Sequence, residues 1–191
     1  MGIWTATHST TSDPWIVIVD DLPATPRDAN NTTRPTAQQI TTQTAIAATS
    51  RGALSDFYRF QVEAGKTLSF EIHTQSLHSP MDPLLKLTTL DGQLLKSADE
   101  DGAGPDVRFS YRFEQAGDFI LEVLDSRYAA GGSYHLRVGD FPVLASAQPM
   151  ALQRGQSAKL QFQTIDGSAA EEREVSIPAD SLDSTLFVAT K

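Results

Sequence analysis

The sequence predicts an all-β protein built around an antiparallel β-sandwich of jelly-roll type, flanked by partial β segments. Three observations predict it. Apolar and polar residues alternate along most of the chain after Ser55, Gly-containing turn signals separate these stretches roughly every 10 to 25 residues, and no stretch repeats apolar residues at helical spacing. Side chains of a strand point alternately to opposite faces, so alternation gives each strand one apolar face that a second sheet must cover.

Residues 1–22 contain one clear element, the apolar run Trp15 to Val19, bounded by Asp13-Pro14 and Asp20-Asp21. It has strand length and no evident partner nearby, and the segment is expected to be the tail of a preceding domain. Residues 23–35 (PATPRDANNTTRP) concentrate Pro, Asn, Asp and Thr and are expected to be a linker. Thr36 to Arg51 is rich in Thr, and Ile40 and Ile46 do not form a helical stripe, so extended structure is favoured.

From Ser55 to Ile72 the chain reads SDFYRFQVEAGKTLSFEI. Tyr58, Phe60 and Val62 share one face, as do Leu68, Phe70 and Ile72. The two halves are expected to form a β-hairpin through Glu63-Ala64-Gly65-Lys66, with Gly65 at positive φ. Leu85 and Leu87 follow, then Asp91-Gly92, a dipeptide suited to a type I′ turn, then Leu94 and Leu95. The same period recurs in Phe109, Tyr111 and Phe113, in Phe119, Leu121 and Val123, and in Tyr134, Leu136 and Val138 after Gly131-Gly132. These strands place the sandwich at residues 36–141, a natural size for the pattern. Beyond it, Ala158 to Thr164, VSIP and TLFVAT are expected strands, while Ala169 to Glu174 is polar and charged. So few strands are marginal alone.

Composition bounds the function. A net charge of -9 argues against nucleic acid and anionic membrane surfaces as partners, since both demand clustered Lys and Arg. The absence of cysteine excludes disulfides and Cys-ligated zinc. No apolar run approaches the roughly 18 residues that span a bilayer, so no membrane insertion is expected. Met1 to Thr11 lacks the basic and apolar regions of a signal peptide.

Several of these residues together resemble the bacterial pre-peptidase C-terminal domain. The resemblance runs through Asn30-Asn31, Ala37-Gln38 to Ile40, Asp56-Phe57-Tyr58-Arg59-Phe60, Ala64-Gly65-Lys66-Thr67-Leu68, Ser79 to Pro83, Leu90-Asp91-Gly92, Ala116 to Phe119 and Tyr134 to Val138. Val138 to Pro142, followed by Gln148-Pro149 and Arg154-Gly155, is similar to the junction that large exported proteins of this type place before an immunoglobulin-like domain. Residues 142–191 are accordingly expected to be an incomplete or accessory segment of that kind. The resemblance implies a non-catalytic accessory module of a larger exported bacterial protein, extracytoplasmic, acting as spacer, stabiliser or adhesion domain beside neighbouring domains of the same polypeptide. Some members bind calcium through an acidic linker and collagen through surface aromatics. Here the linker reads Arg27, Asp28, Ala29, Asn30, Asn31, Thr32, and Ala53 stands for one of two later aspartates. Only Asn31 and Asp56 remain, too few for an ion that takes six to eight oxygens, so the family's calcium site is expected to be absent and no cofactor to be required.

Two stretches are candidate sites. Asp99, Asp101 and Asp106 lie in an acidic, Gly-bearing loop where carboxylates could converge on weakly bound calcium; a solvated turn is the simpler reading. Tyr128 and Arg127, in DSRYAAGG, are positioned to contact an extracellular protein or glycan, against the simpler reading of a ring tucked on the sandwich. The alternation of His73 and His135 reads them as solvent-facing. No histidine shows metal-ligand spacing, and no nucleophile elbow or phosphate loop is present, so catalysis is not expected. A carbohydrate-binding module is the first alternative and a hydrolase fragment the second.

Overall fold

A computed structural model describes residues 2–6, 15–99, 106–165, 167 and 169–180. The chain divides into two compact units, Met1–Asp21 with Leu144–Lys191, and Leu22–Val143. In chain order, β1 (Gly2–Ala6) and β2 (Trp15–Val19) pair antiparallel, so the apolar run has a partner after all, in GIWTA. Next come β3 (Gln38–Gln39), β4 (Thr44–Arg51), β5 (Asp56–Val62), β6 (Thr67–His73), β7 (Pro83–Thr89), β8 (Leu94–Ala98), β9 (Val107–Arg112), β10 (Gly117–Asp125) and β11 (Ala130–Gly139). The last three are β12 (Leu144–Gln148), β13 (Ser157–Thr164) and β14 (Ala169–Ser176), an antiparallel sheet in the order 12-13-14. The polar stretch after Ala169 is thus a strand, its charges paired across the ladder, as in Lys159 Nζ to Glu172 Oε1 at 2.8 Å. TLFVAT lies outside the described residues.

Strands β3 to β11 form the sandwich. One sheet runs 3-5-10-7-8 and the other 4-11-6-9, antiparallel throughout apart from the short parallel pair of β3 with β5. Of the successive strands in this series, only β7 and β8 pair with each other. The expected hairpin over 55–72 is therefore corrected: β5 and β6 belong to opposite sheets and are joined by an arch. Alternation fits either arrangement, because each half needs only an apolar cover. The cover here is the facing sheet, and Phe60 meets Phe70 across the interior with ring centroids 5.7 Å apart. Gly65 takes φ +80 as expected and donates its N–H to the Phe113 carbonyl at 2.7 Å. The core is the set of alternating residues: Ile46, Tyr58, Phe60, Phe70, Ile72, Leu85, Leu87, Leu121, Leu136 and Val138 are fully buried in it.

The β7–β8 turn also differs from the type I′ expectation. That type needs positive φ at both central residues, whereas Gly92 alone takes it, at φ +101. Gly92 N–H donates to Thr89 O at 3.1 Å, and the ladder shifts register after Leu87. It is a longer turn with a bulge.

Residues 23–35 do not behave as a free linker. Thr25 N–H donates to Ala45 O and Ala45 N–H to Pro23 O, at 2.8 and 2.9 Å, laying the segment along the β4 edge. Asn31 is fully buried. A proline has no N–H to give a ladder, yet the Pro23 carbonyl still accepts, and with Thr25 donating beside it the segment covers the edge strand. Among the described residues no helix is long and apolar enough to cross a membrane.

Candidate functional site

Three polar constellations sit on the sandwich. The first closes on Asp56, which opens β5 with its carboxylate buried. Arg51 at the end of β4 donates from Nη2 to Asp56 Oδ1 and, at 2.7 Å, to Asn31 Oδ1; Arg27 approaches Asp56 Oδ2 at 3.4 Å. Tyr134 donates its hydroxyl to Asp56 Oδ2 at 2.5 Å and lies 2.7 Å from the Tyr58 hydroxyl. Burial of both rings, with the Asp56 charge beside them, pushes both phenols far above their ordinary range. Asn31 and Asp56, the two oxygen-bearing positions on which the resemblance rests, therefore converge on a guanidinium. A cation of the chain itself satisfies them and ties 23–35 to the sheet.

The second constellation lies on the outer face of the four-stranded sheet, where register brings together residues far apart in sequence. Glu71 of β6 stands opposite Arg137 of β11 and opposite Arg108 of β9, and His73 stands opposite His135. Arg137 donates from Nη1 to Glu71 Oε2 at 2.8 Å, with its Cζ 4.4 Å from the Phe141 ring centroid. His73 Nε2 is 3.5 Å from Glu71 Oε2, and its Nδ1 is 3.4 Å from Asp106 Oδ2. Asp106 Oδ1 accepts the Thr74 N–H at 2.8 Å. His73 is buried, correcting the solvent-facing expectation: charged residues on a sheet's outer face screen one another from water when they pair across strands. Burial opposes its protonation, but Asp106 and Glu71 on either side outweigh that and raise its pKa from 6.5 to about 9. Glu71, despite burial, is held down at about 2 by His73 and Arg137. Asp106 is likewise held well below the carboxylate range, burial notwithstanding, by His73 and its hydrogen-bond donors.

Ser76, His73 and Asp106 are the residue types of a nucleophilic triad, but the geometry is not one. Ser76 Oγ lies 3.4 Å from His73 Nδ1, the same nitrogen that faces Asp106, and Glu71 stands at the other. A general base needs one ring nitrogen for the nucleophile and the other for the orienting carboxylate, and must be unprotonated.

The third constellation is at one end of the sandwich, where the β6–β7 and β10–β11 connections meet. Gln75, His78, Ser79, Pro80 and Arg127 line a groove of about 320 Å³. Ser126 N–H donates to Asp82 O at 2.8 Å and Ser126 Oγ to Asp82 Oδ2 at 2.7 Å, locking the two connections together. Arg127 donates from Nε to the same Asp82 Oδ2 at 3.2 Å, and its backbone N–H donates to Asp125 Oδ1 at 3.0 Å. Two non-glycine residues here take left-handed backbone, His78 at φ 58 and Tyr128 at φ 56, a conformation that side chains rarely adopt and that clusters at binding sites. Gly132 fits because any Cβ would come 2.7 Å from Met81 Cβ and 2.9 Å from its backbone nitrogen.

The structure thus brings Arg127 and exposed Tyr128 to this end, and Tyr128, at 64% exposure, is not tucked on the sandwich. The acidic loop is divided. Asp106 turns inward to Thr74 and His73, Asp99 is exposed, and Asp101 lies outside the described residues. Among the described residues no three His, Asp or Glu side chains are grouped to hold a metal ion. Sequence reasoning missed Asp82 as the residue that orients Arg127, and missed the His73 cluster. Their signal is cross-strand register, which spacing within one strand does not carry.

No family model matches the sequence, and no curated protein does. Among solved structures the chain is similar to PliG of Aeromonas hydrophila, a periplasmic inhibitor of g-type lysozyme, at 12% identity over 53% of this chain and 96% of that one, with a TM-score of 0.39. It is also similar, at 16% identity over 62% of this chain and 99% of the other, with a TM-score of 0.42, to the pre-peptidase C-terminal domain of the collagenase from Bacillus anthracis, a member of the family that its residues resemble.

Proposed function

We propose that the chain is a non-catalytic accessory module of a larger exported bacterial protein, working outside the cytoplasm beside neighbouring domains and adhering to an extracellular protein or glycan through the loop end of its sandwich. The observation that carries this reading is the built character of that end. Asp82 orients Arg127, Ser126 locks the two connections, and exposed Tyr128 stands next in the chain on left-handed backbone. Recognition residues commonly sit on loops held by a rigid scaffold, and a pre-ordered side chain loses less entropy on binding. Catalysis has no comparable support, because the Ser–His–Asp grouping found among the described residues is cross-wired and its histidine is held protonated by the carboxylates on either side.

The test is retention of the chain on immobilised extracellular proteins and glycans, with Arg127→Ala/Tyr128→Ala alongside. Retention that the double substitution abolishes is the expected result. Retention untouched by it refutes the loop end as the contact surface, and no retention anywhere leaves the module as a spacer.

A further inference from the structure

Arg127 is held at only one of its nitrogens. Asp82 takes the Nε–H, and the guanidinium's two terminal Nη groups have no hydrogen-bond partner among the described residues. The side chain is 66% exposed, although Asp82 fixes its plane. A guanidinium anchored at Nε and open at its fork is arranged for planar, two-point recognition of a carboxylate. Asp82 neutralises part of its charge, so selectivity rests on the geometry of the fork more than on attraction at a distance.

The remaining groove wall narrows the ligand further. Gln75 supplies an amide, His78 an imidazole and Ser79 a hydroxyl, with Pro80 the sole apolar residue among the lining side chains. Such a wall offers donors and acceptors at close spacing and no deep apolar pocket. A peptide would want an apolar or aromatic anchor buried at the centre of its interface. A hydroxyl-rich ring wants the opposite, several hydrogen-bonding groups in a shallow groove, and Tyr128 offers an exposed aromatic ring in the same loop as the fork. Accepting the loop end as the recognition surface, we infer that it binds an acidic sugar of the uronate class, with the carboxylate on the Arg127 fork and ring hydroxyls on Gln75, His78 and Ser79.

Isothermal titration of the full chain tests this with three probes: a galacturonate hexasaccharide, its methyl ester and a hexaglutamate peptide. The free acid is expected to bind, the ester about tenfold or more weaker, and the peptide no better than the ester. Arg127→Lys keeps the charge and loses the fork, so it should weaken the free acid about tenfold. Its melting temperature should be unchanged, because the side chain is exposed. Gln75→Ala should weaken acid and ester alike. Equal binding of acid and ester, indifference to Arg127→Lys, preference for the peptide, or binding of none of the three overturns the inference. Retention of some other immobilised ligand that depends on Arg127 and Tyr128 would then leave the loop-end reading standing while the acidic sugar falls. Retention indifferent to both residues removes the two together.

Discussion

Raising the pH from about 6 to about 9.5 should take the proton from His73 and weaken the sandwich. The imidazolium is flanked by Asp106 and Glu71 at 3.4 and 3.5 Å, and its pKa stands at about 9 against 6.5 when free. A raised folded-state pKa stabilises fully below the unfolded value and loses that contribution as pH climbs through the folded one, so the window runs from about 6.5 to about 9. Glu71, at about 2, and Asp106, also depressed, stay ionised throughout. At about 1.4 kcal/mol per pH unit of separation, the ceiling is about 3 kcal/mol. The contacts argue for less, since Nε2 has no aligned hydrogen-bond partner and burial of the ring opposes the charge. About 1 to 2 kcal/mol is the expected loss. In a unit of about 120 residues that lowers the melting temperature by about 4 to 8 °C.

The unit can be followed by itself. All four tyrosines fall within Leu22–Val143, while Trp4 and Trp15 belong to the other unit. Tyrosine near-ultraviolet dichroism therefore reports the sandwich. Melts of the wild type and of His73→Gln, taken across the window, should converge: the variant is less stable at about pH 6, and the gap closes toward about pH 9.5. Parallel pH profiles, or a wild type that gains on the variant as pH rises, would show that His73 is not held protonated by its neighbours.

Asp56→Ala removes the carboxylate to which Arg51 and the Tyr134 hydroxyl donate and should cost about 2 to 4 kcal/mol in urea unfolding, less than a fully buried pair because the guanidinium groups keep some water; a loss under about 1 kcal/mol would mean that this contact does not hold residues 23–35 to the sheet. Gly132→Ala forces a Cβ onto Met81, to within 2.9 Å of its backbone nitrogen, and should cost about 1 to 3 kcal/mol by the same measurement. Weak calcium binding at Asp99, Asp101 and Asp106 would raise the melting temperature in millimolar calcium, and because Asp106 already faces His73, it should also blunt the pH transition above. Identical melts in calcium and chelator would sink a site in that loop.

What could be read from the chain alone was whatever repeats within a strand. Alternation at Tyr58, Phe60 and Val62, and again at Leu68, Phe70 and Ile72, fixed which residues face the interior, because a strand's period of two is set by its backbone. The loop position of Arg127 and Tyr128 was legible for a similar reason, lying between a strand and a Gly-Gly pair. Pairing was not. The same alternation serves a hairpin and an arch, and only the assembled sheets put β5 and β6 on opposite sides of the core. The polar face of β6 read as solvated until register set Glu71 against Arg137 and His73 against His135, residues more than sixty positions apart. A charge's burial depends on the partner it meets, and long-range register alone decides that partner. The Pro-rich 23–35 segment shows the same limit. Its composition read as a linker, while its attachment depended on the β4 edge, Arg51 and Asp56 coming to lie beside it. Local sequence determines conformation and facing through short-range sterics; tertiary structure decides partners, because hydrogen bonds and ion pairs form between groups that only the folded topology brings within reach.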